Sequence, residues 1–498
     1  MSNSTSTSHS VLSLGDVLSN IFSYSTQADN TSNARVCKVW CGHALNEIWH
    51  SVTIFGLIAL LSPVVKRRDA TIMKYSRAIH ADDWKRFDEY AWRVHCLCFT
   101  PTIYKYSDSM FSQIAHTRPR LELLPNLTEM KLCGAHPPLV ATLFGHASVR
   151  TLVMTSLALG TCVESSDSAS AMFSYIPSQM MNLLEVRIEA TIDQSLHLLH
   201  YPLCRALRGL PFLQVLHLPT ALMTNDMVIS VSSLPNLRSL KMLPSTDPAT
   251  FSSLPSNGFP SLSLFWMTAS ISQTTSWFLK PGFPKGLTDL SFTSHSSADS
   301  PTAEVHRDFI WMIVSNLKSL VHLSLSPPGD ESVSLPFNIL EPILSLVGLQ
   351  TLKLVDHHIT EIGKDDLVKI FESLPNLSLL HFRHRQNESK LPLTALAAIS
   401  PISPKLTDLS LDFAATLDLD LPDIVTPFLH LRRLGVGMSP VAAPIKAALF
   451  LSRVLPDGCT LHFASKGDLD WEKVQELLPA FTQVRQEERR FSLSLTHT

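Results

Sequence analysis

The amino-acid sequence predicts an α/β solenoid, in which short units of one strand and one helix stack side by side. Three observations support this fold class: one apolar pattern recurs along most of the chain, each copy changes from helical to strand-like spacing, and no copy can bury its apolar face alone. The length agrees with this prediction. A chain of 498 residues exceeds what one compact core usually holds, whereas each repeat of a solenoid packs only on its neighbours.

The stretch from Asp365 to Phe382 contains the unit in its clearest form. Its first half has apolar residues at i, i+3, i+4 and i+7, which is helical spacing: Leu367, Ile370, Phe371 and Leu374. Pro375 then ends the helical register. The second half is an L-x-x-L-x-L run whose last residues alternate as in a strand: Leu377, Leu380 and Phe382.

Thirteen copies of this run, with other apolar residues at some leucine positions, follow one another. They begin at Val94, Leu127, Val149, Leu183, Leu213, Leu237, Leu262, Leu287, Leu320, Leu349, Leu377, Leu406 and Leu431. Most spacings are close to the roughly 20–29 residues of leucine-rich repeats. We therefore predict a right-handed leucine-rich-repeat horseshoe, with a parallel concave sheet and helices on the convex side. The alternative, unrelated amphipathic segments in an ordinary α/β domain, does not explain the Leu-Pro or Phe-Pro pair that precedes several runs.

Three short amphipathic helices are predicted between residues 11 and 52. The first carries Leu14, Val17, Leu18, Ile21 and Phe22, the second carries Val36 and Trp40, and the third carries Leu45, Ile48 and Trp49. Three helices of this length bury little apolar area. Such a module therefore requires a partner or a neighbouring domain.

The same module resembles an F-box. The family pattern opens with a Leu-Pro-Glu-like turn, continues with a helix containing Ile-Phe, then shows V-C-[KR]-x-W, and closes with a Leu and a Trp. The matching residues are Leu14, Asp16, Val17, Leu18, Ile21, Phe22, Val36, Cys37, Lys38, Val39, Trp40, Leu45 and Trp49. The sequence departs from the pattern at Gly15, where the family usually has Pro. A helical bundle that caps the solenoid, with chance similarity to the F-box, remains an alternative.

An F-box followed by leucine-rich repeats resembles the substrate receptors of SCF (cullin-RING) ubiquitin ligases, which are common among fungal F-box proteins. The resemblance implies a non-enzymatic adaptor without cofactor that serves ubiquitin-dependent protein catabolism: the helices dock on a Skp-type adaptor, and the repeats hold a protein substrate. The expected adaptor-binding residues are Leu14, Asp16, Leu18, Ile21, Phe22, Val36, Cys37, Lys38 and Trp40. One rival is an F-box scaffold that mediates protein interactions without ubiquitination, and another is an enzyme within the repeat body.

The substrate surface is predicted from strand alternation. In each L-x-x-L-x-L-x run the apolar positions point inward, so the third, fifth and seventh residues face outward. These outward positions mix charges of both signs with one large aromatic residue, which suits a protein partner. The candidate substrate-binding residues are Lys241, Trp266, His322, Lys353, His381 and Arg383.

Other classes of function find little support in the sequence. There is no G-x-S-x-G, no phosphate-binding glycine loop and no H-E-x-x-H, which argues against an enzyme. The eight cysteines include no C-x-x-C, so we expect neither a metal site nor an activated thiol. A net charge of −3 argues against nucleic acid as a partner.

The patterns divide the chain into five predicted parts. These are a disordered tail (1–10), the F-box (11–52), a helical linker (53–92), the leucine-rich repeats (93–465) and a C-terminal cap (466–498) made of a helix and an edge strand. The tail lacks the basic and apolar regions of a signal peptide. The only long apolar run, IFGLIALLSPVV, is too short to span a bilayer. We therefore expect an intracellular protein, in the cytoplasm or nucleus, with no membrane partner.

Overall fold

The structure is a computed structural model, and it divides into two compact units. It describes residues 15–66, 72–99, 105–133, 137–155, 166–189, 199–244, 254–256, 258–294, 302–326, 333–355, 357–360, 362–383, 391–414, 425–463 and 469–496. The first unit comprises residues 1–251 with 257–261, and the second comprises residues 252–256 with 262–498. The predicted tail (1–10) and Leu14 lie outside the described residues.

Seven strands of the first unit pair side by side in chain order, and every pairing is parallel. They are β1 (Ser51–Thr53), β4 (Cys96–Phe99), β6 (Glu129–Leu132), β7 (Thr151–Thr155), β8 (Glu185–Glu189), β9 (Val215–Pro219) and β10 (Ser239–Leu243). A small side sheet contains β2 (Val64–Lys66), β3 (Ile72–Tyr75) and β5 (Lys105–Tyr106). Parallel neighbours require a return segment between strands.

Helices precede the strands of the first unit or return the chain between them. They are α1 (Gly15–Ser23), α2 (Gln27–Asn33), α3 (Lys38–His50), α4 (Ile54–Ile58), α5 (Ala81–Ala91), α6 (Asp108–Thr117), α7 (Pro137–Phe144), α8 (Ser166–Gln179), α9 (His200–Arg208) and α10 (Asn225–Ser232). A short 3₁₀ helix, Thr220–Leu222, follows β9.

The second unit continues the same architecture with eight parallel strands. They are β11 (Leu264–Ala269), β12 (Asp289–Ser294), β13 (His322–Ser326), β15 (Thr351–Val355), β17 (Leu379–Arg383), β18 (Asp408–Ser410), β19 (Arg433–Gly437) and β20 (Thr460–Phe463), while β14 (Val333–Pro336) pairs only with β16 (His357–Thr360). The helices are α11 (Ile271–Phe278), α12 (Ala303–Asn316), α13 (Lys364–Ser373), α14 (Ala395–Ile399), α15 (Pro444–Val454) and α16 (Leu469–Thr496).

The predicted strand phase is confirmed throughout the array. All three apolar positions of each of the thirteen runs are buried, from Val94, Leu97 and Phe99 to Leu431, Leu434 and Val436. The α/β leucine-rich-repeat solenoid is therefore the observed fold class, with three N-terminal helices ahead of it. The unit described above has the predicted form, because α13 buries Leu367, Ile370 and Phe371 before the strand β17.

Two hydrogen-bond patterns recur with the repeats. One carbonyl oxygen ahead of a strand accepts from two successive N–H groups of the next repeat: the His95 carbonyl accepts from Thr128 and Glu129, and the Gln350 carbonyl accepts from Ser378 and Leu379. In the turns before four strands an asparagine Nδ2 donates to a carbonyl oxygen of the preceding repeat. These asparagines are Asn126, Asn182, Asn236 and Asn376. Each repeat thus satisfies polar groups of its neighbour.

Several element predictions are corrected. The second helix of the N-terminal module is α2, a polar segment, while Val36 precedes α3 and Trp40 shares α3 with Leu45. The C-terminal edge strand predicted at Phe491–Leu495 is wrong, because α16 continues to Thr496. The segment before it, QVRQEERR, consists mostly of good helix formers without Gly or Pro, so the helix propagates.

Among the described residues, the parallel array of each unit contains one strand in addition to its predicted runs, before them in the first unit and after them in the second. Val52 in β1 and Leu461 in β20 are the buried residues of two further strands. Helix α3 ends at His50 and β1 begins at Ser51. The N-terminal helices therefore run directly into the first strand of the sheet, and the predicted linker range (53–92) contains the helices α4 and α5.

Candidate protein-interaction surfaces

Local hydrogen bonds define the junction between α1 and α2. Thr26 caps α2: its Oγ1 accepts from the Asp29 N–H at 3.2 Å, and the Asp29 carboxylate accepts from the Thr26 N–H at 3.3 Å. Such a capping box satisfies amide groups at a helix start. Asn30 is buried, and its Nδ2 donates to the Phe22 carbonyl oxygen at 2.9 Å. This bond joins the polar helix α2 to the end of α1.

A small apolar core joins α1 to α3. It consists of buried Leu18, Phe22 and Ala44, against which Ala34 and Trp40 pack. The Phe22 and Trp40 rings meet edge to face, with centroids 5.3 Å apart. The helices of the N-terminal module therefore share a common apolar core, but this core contains few side chains.

Exposed apolar residues flank this core on two elements. Ile21 and Tyr24 at the end of α1 are 47% and 87% exposed, and Val36 and Val39 around the start of α3 are 60% and 49% exposed. In sequence, Ile21 adjoins Phe22 and Val39 adjoins Trp40, the two residues of the edge-to-face contact. Apolar side chains left outside a small core are candidates for contact with a partner.

The expected adaptor-binding residues fall into two groups. Asp16, Ile21, Val36, Cys37 and Lys38 are exposed. Leu18 and Phe22 are buried and Trp40 is half-buried, so these three position the helices rather than present a surface.

Tyr24 and Val39 were not among the expected adaptor-binding residues. Tyr24 lies three positions after Ile21, which is helical spacing. This spacing is the sequence feature by which Tyr24 could have been found.

Gly15, the departure from the F-box pattern, is the first residue of α1. A Cβ at this position would lie 3.0 Å from His43 Cε1 of α3. The Ser19 hydroxyl also forms a 2.9 Å hydrogen bond with His43 Nδ1. The glycine thus allows the histidine of α3 to approach the start of α1.

Helix α3 is held against the first repeat. The Trp49 and Tyr90 rings stack with centroids 4.5 Å apart, which joins α3 to α5. Arg93, just before β4, donates to the Gly42 carbonyl oxygen at 3.0 Å and to the Asn46 side chain. Stacking and charge-assisted hydrogen bonds therefore fix the module to the start of the array.

The outward strand face of the second unit is organised in rows. One central row follows the strand register through Trp266, Ser291, Ser324, Lys353, His381 and Ser410. Strands in a sheet lie about 4.8 Å apart, so Trp266 and Lys353 are separated by about 14 Å along this row. Trp266 is 39% exposed, between buried Phe265 and Met267.

The remaining substrate candidates occupy other positions. His322 lies in the neighbouring row, where its Nε2 is 3.8 Å from Asp289 Oδ1. Arg383 ends β17, paired with Val355, and its side chain is outside the described part. Trp266, His322, Lys353 and His381 therefore share one sheet face, whereas Lys241 belongs to the first unit.

In the first unit, Lys241 lies in a basic row. The strand register aligns it with His217 and aligns His217 with Arg187, while Arg187 Nε donates to the Glu185 carboxylate at 2.6 Å. Burial, together with the charge of Arg187, lowers the pKa of both His217 and Lys241. A partner that brings negative charge to this row would favour the protonated forms.

Comparisons with known proteins add only distant likenesses. No family model matches the chain, and no curated protein matches it. A crystal structure of a TLR13–ssRNA13 complex is similar at a TM-score of 0.29 and 14% identity, over 77% of this chain and 57% of that one, so the chain spans little more than half of TLR13. A crystal structure of the yeast Rad7 and Elc1 complex is similar at a TM-score of 0.29 and 14% identity, over 80% of this chain and 94% of that one. The fold assignment rests on the strand pairing of this chain.

Within the described ranges, no helix combines the length and apolar character needed to cross a membrane.

Proposed function

We propose that this protein is a non-enzymatic substrate-recognition adaptor of an SCF-type ubiquitin ligase. The proposal rests on the exposed apolar surface of the N-terminal module. The small core of this module leaves four apolar side chains exposed: Ile21, Tyr24, Val36 and Val39. These residues lie in the segments that resemble an F-box. The partner of this surface is a Skp-type adaptor, and through it a cullin-RING ligase.

The strand face holds the protein substrate. Its outward rows offer a half-exposed Trp266 together with Lys353 and His381, and aromatic and cationic residues often anchor protein interfaces. The face is built on regular strands, which position side chains more precisely than loops do. The substrate is a protein that covers Trp266.

Catalysis occurs by proximity. Holding a substrate near a ubiquitin-charged conjugating enzyme raises the effective concentration of its lysines. The direct passage from α3 into β1 joins the adaptor-binding module to the first strand of the sheet. The ligase chemistry belongs to other subunits.

Point substitution in the module tests the proposal better than truncation. Deletion of residues 1–52 would also remove part of β1, which pairs with β4, and would expose a new sheet edge. Val36→Glu instead places a charge on the exposed surface. We expect co-purification with a Skp-type adaptor to fall about thirtyfold or more, since interface anchors contribute about 2 kcal/mol or more.

Val347→Glu is the matched control, because Val347 is a comparably exposed valine, at 56%, in the second unit. It should leave adaptor capture unchanged. Equal capture by the wild type and Val36→Glu, with both chains folded, would refute the assignment.

The scaffold alternative predicts the same adaptor capture but no turnover of a bound protein. If the protein is a substrate receptor, its deletion should raise the abundance of a bound partner. Inhibition of the cullin or the proteasome should remove this difference in abundance between cells with and without the protein. Unchanged abundance of every captured partner would favour the scaffold.

A further inference from the structure

Two thiols meet on the outward face of β4. Leu97 and Phe99 point into the core, so Cys96 and Cys98 share the opposite face of the strand. Their Sγ atoms are 3.7 Å apart. Cys96 is 5% exposed, whereas Cys98 is half-buried and reaches solvent.

Polar groups from both neighbouring strands face this pair. On β1, the Ser51 Oγ is 3.9 Å from Cys98 Sγ. On β6, Lys131 is the register partner of Cys98, and its Nζ is 3.1 Å from the Glu129 carboxylate. Cys133 follows β6 and is a third thiol near the pair.

These neighbours shift the pKa values of the two thiols in opposite directions. The hydrogen bond from Cys96, followed by that from Ser51 and the positive charge of Lys131, lowers the pKa of Cys98 to about 6, against the opposing effects of burial and Glu129. The same hydrogen bond and burial raise the pKa of Cys96. A partly exposed thiol beside a cation is the setting in which cysteines become nucleophilic. The surroundings of Cys98 therefore differ from those expected of an unactivated thiol.

We propose that Cys96 and Cys98 form a peroxide-reactive dithiol, with Cys98 as the nucleophile and Cys96 as the resolving thiol. The Cys98 thiolate attacks one oxygen of a hydroperoxide, the O–O bond breaks, and the departing oxygen leaves as water or an alcohol after protonation. Cys98 becomes a sulfenic acid. The Cys96 sulfur then attacks the Cys98 sulfur, the S–O bond breaks and a second water leaves. The two thiols are oxidised to one disulfide while the peroxide is reduced.

The distance between the two strand positions is close to that of a disulfide. Residues two apart on a strand have Cα atoms about 6.6 Å apart, at the upper end of the roughly 4.4–6.8 Å found across disulfides. Because the two Cβ atoms point to the same face, they are farther apart than the roughly 3.5–4.5 Å of a disulfide, so closure needs local bending of β4 as well as side-chain rotation. Cys133 competes less well, because it lies beyond the end of the neighbouring strand β6 and burial raises the pKa of its thiol.

Mass spectrometry of the reduced full-length protein tests the proposal. Cleavage after Arg93 and Lys105 releases VHCLCFTPTIYK, which contains these two cysteines and no other. After brief treatment with hydrogen peroxide, we expect this peptide to lose two hydrogens, to resist alkylation and to regain both reactive thiols with dithiothreitol. Two alkylated cysteines after treatment, or a disulfide between Cys98 and Cys133, would overturn the proposal.

Single substitutions assign the roles. In Cys96→Ser, Cys98 should stop at the sulfenic acid, which dimedone captures; in Cys98→Ser, Cys96 should remain a thiol. Oxidation of Cys96 without Cys98 would contradict the assignment. Thermal unfolding checks that both variants fold.

Alkylation rates provide an independent measurement. In the wild-type chain at pH 7, Cys98 should react with iodoacetamide at least about tenfold faster than Cys459, whose thiol pKa is raised to about 12 by burial. The Cys98 rate should decrease as the pH falls below about 6, as its thiolate is protonated. Equal rates for the two cysteines would contradict an activated thiol.

Discussion

At the scale of single residues, Trp266 occupies an unusual position for a large aromatic side chain. Its neighbours Phe265 and Met267 are buried at 6% and 0% exposure, while Trp266 itself is 39% exposed on the sheet face. A tryptophan that faces outward in mid-sheet leaves apolar area in water. A bound partner would remove that area from water, and the array would gain little from the side chain without one.

Trp266→Ala should therefore weaken partner capture more than it weakens folding. We expect a loss of roughly 2 kcal/mol or more in binding free energy, about thirtyfold in Kd, with nearly unchanged melting temperature and adaptor binding. Affinity capture of the partners from cell extract, quantified by mass spectrometry, measures the loss.

Trp311→Ala is the matched control for this experiment, because Trp311 is 60% exposed on α12 and not on the strand face. It should leave capture unchanged. A large fall in melting temperature for Trp266→Ala, with capture intact, would identify Trp266 as a structural residue.

At the scale of elements, α5 shows how one carboxylate organises a helix start. Both Asp83 oxygens accept hydrogen bonds from Arg77, at 2.6 and 2.7 Å, and Oδ2 also accepts from the His80 N–H at 2.8 Å. The Arg77 hydrogen bond is the main reason that the pKa of Asp83 falls to about 2. Helix α5 in turn holds α3 through the Trp49–Tyr90 stack.

This shift predicts a pH dependence of stability. The folded-state pKa of Asp83, about 2, lies below its ordinary value of 3.8. The carboxylate therefore stabilises the fold fully above about pH 4, and this contribution is lost as the pH falls toward 2. Asp83→Asn should be less stable than the wild type at pH 7, and the difference should shrink across that window. Urea unfolding at several pH values measures it, and a difference independent of pH would contradict the role of the charge.

At the scale of the whole molecule, a repeat array needs its ends covered. In the second unit, α16 packs against α15, with Trp471 buried at 1% exposure and its Nε1 donating to the Ser439 carbonyl oxygen at 2.6 Å. Arg485 of the same helix donates to the Ser452 carbonyl oxygen at 2.9 Å. Helix α16 thus covers the last repeat of this unit with an apolar anchor and hydrogen bonds.

Trp471→Ala should destabilise the second unit by about 3–5 kcal/mol, since it removes a large buried side chain and leaves a buried carbonyl without its donor. Hydrogen exchange of β19 and β20 should accelerate accordingly. Leu469→Ala is the control on the same helix, because Leu469 is 76% exposed. Equal exchange in the two variants would show that α16 does not stabilise the last repeat.

Much of this architecture was predictable because its pattern is local. Alternation within a strand places Leu380 and Phe382 on one face and His381 on the other, whatever lies elsewhere in the chain. Repetition of the run then implies stacking, since no single unit can bury its apolar face. The strand phase and the outward positions of Trp266 and Lys353 therefore follow from residue order.

Other features depended on segments that are distant in sequence. The burial of Phe22 and the exposure of Ile21 depend on how α3 crosses α1, and apolar spacing on one helix does not specify that crossing. Ser51 and Lys131 reach Cys98 only because β1 and β6 pair on either side of β4. Periodicity specifies which face of an element is apolar, whereas the neighbours of a side chain, and hence its reactivity, depend on the packing of elements far apart in the chain.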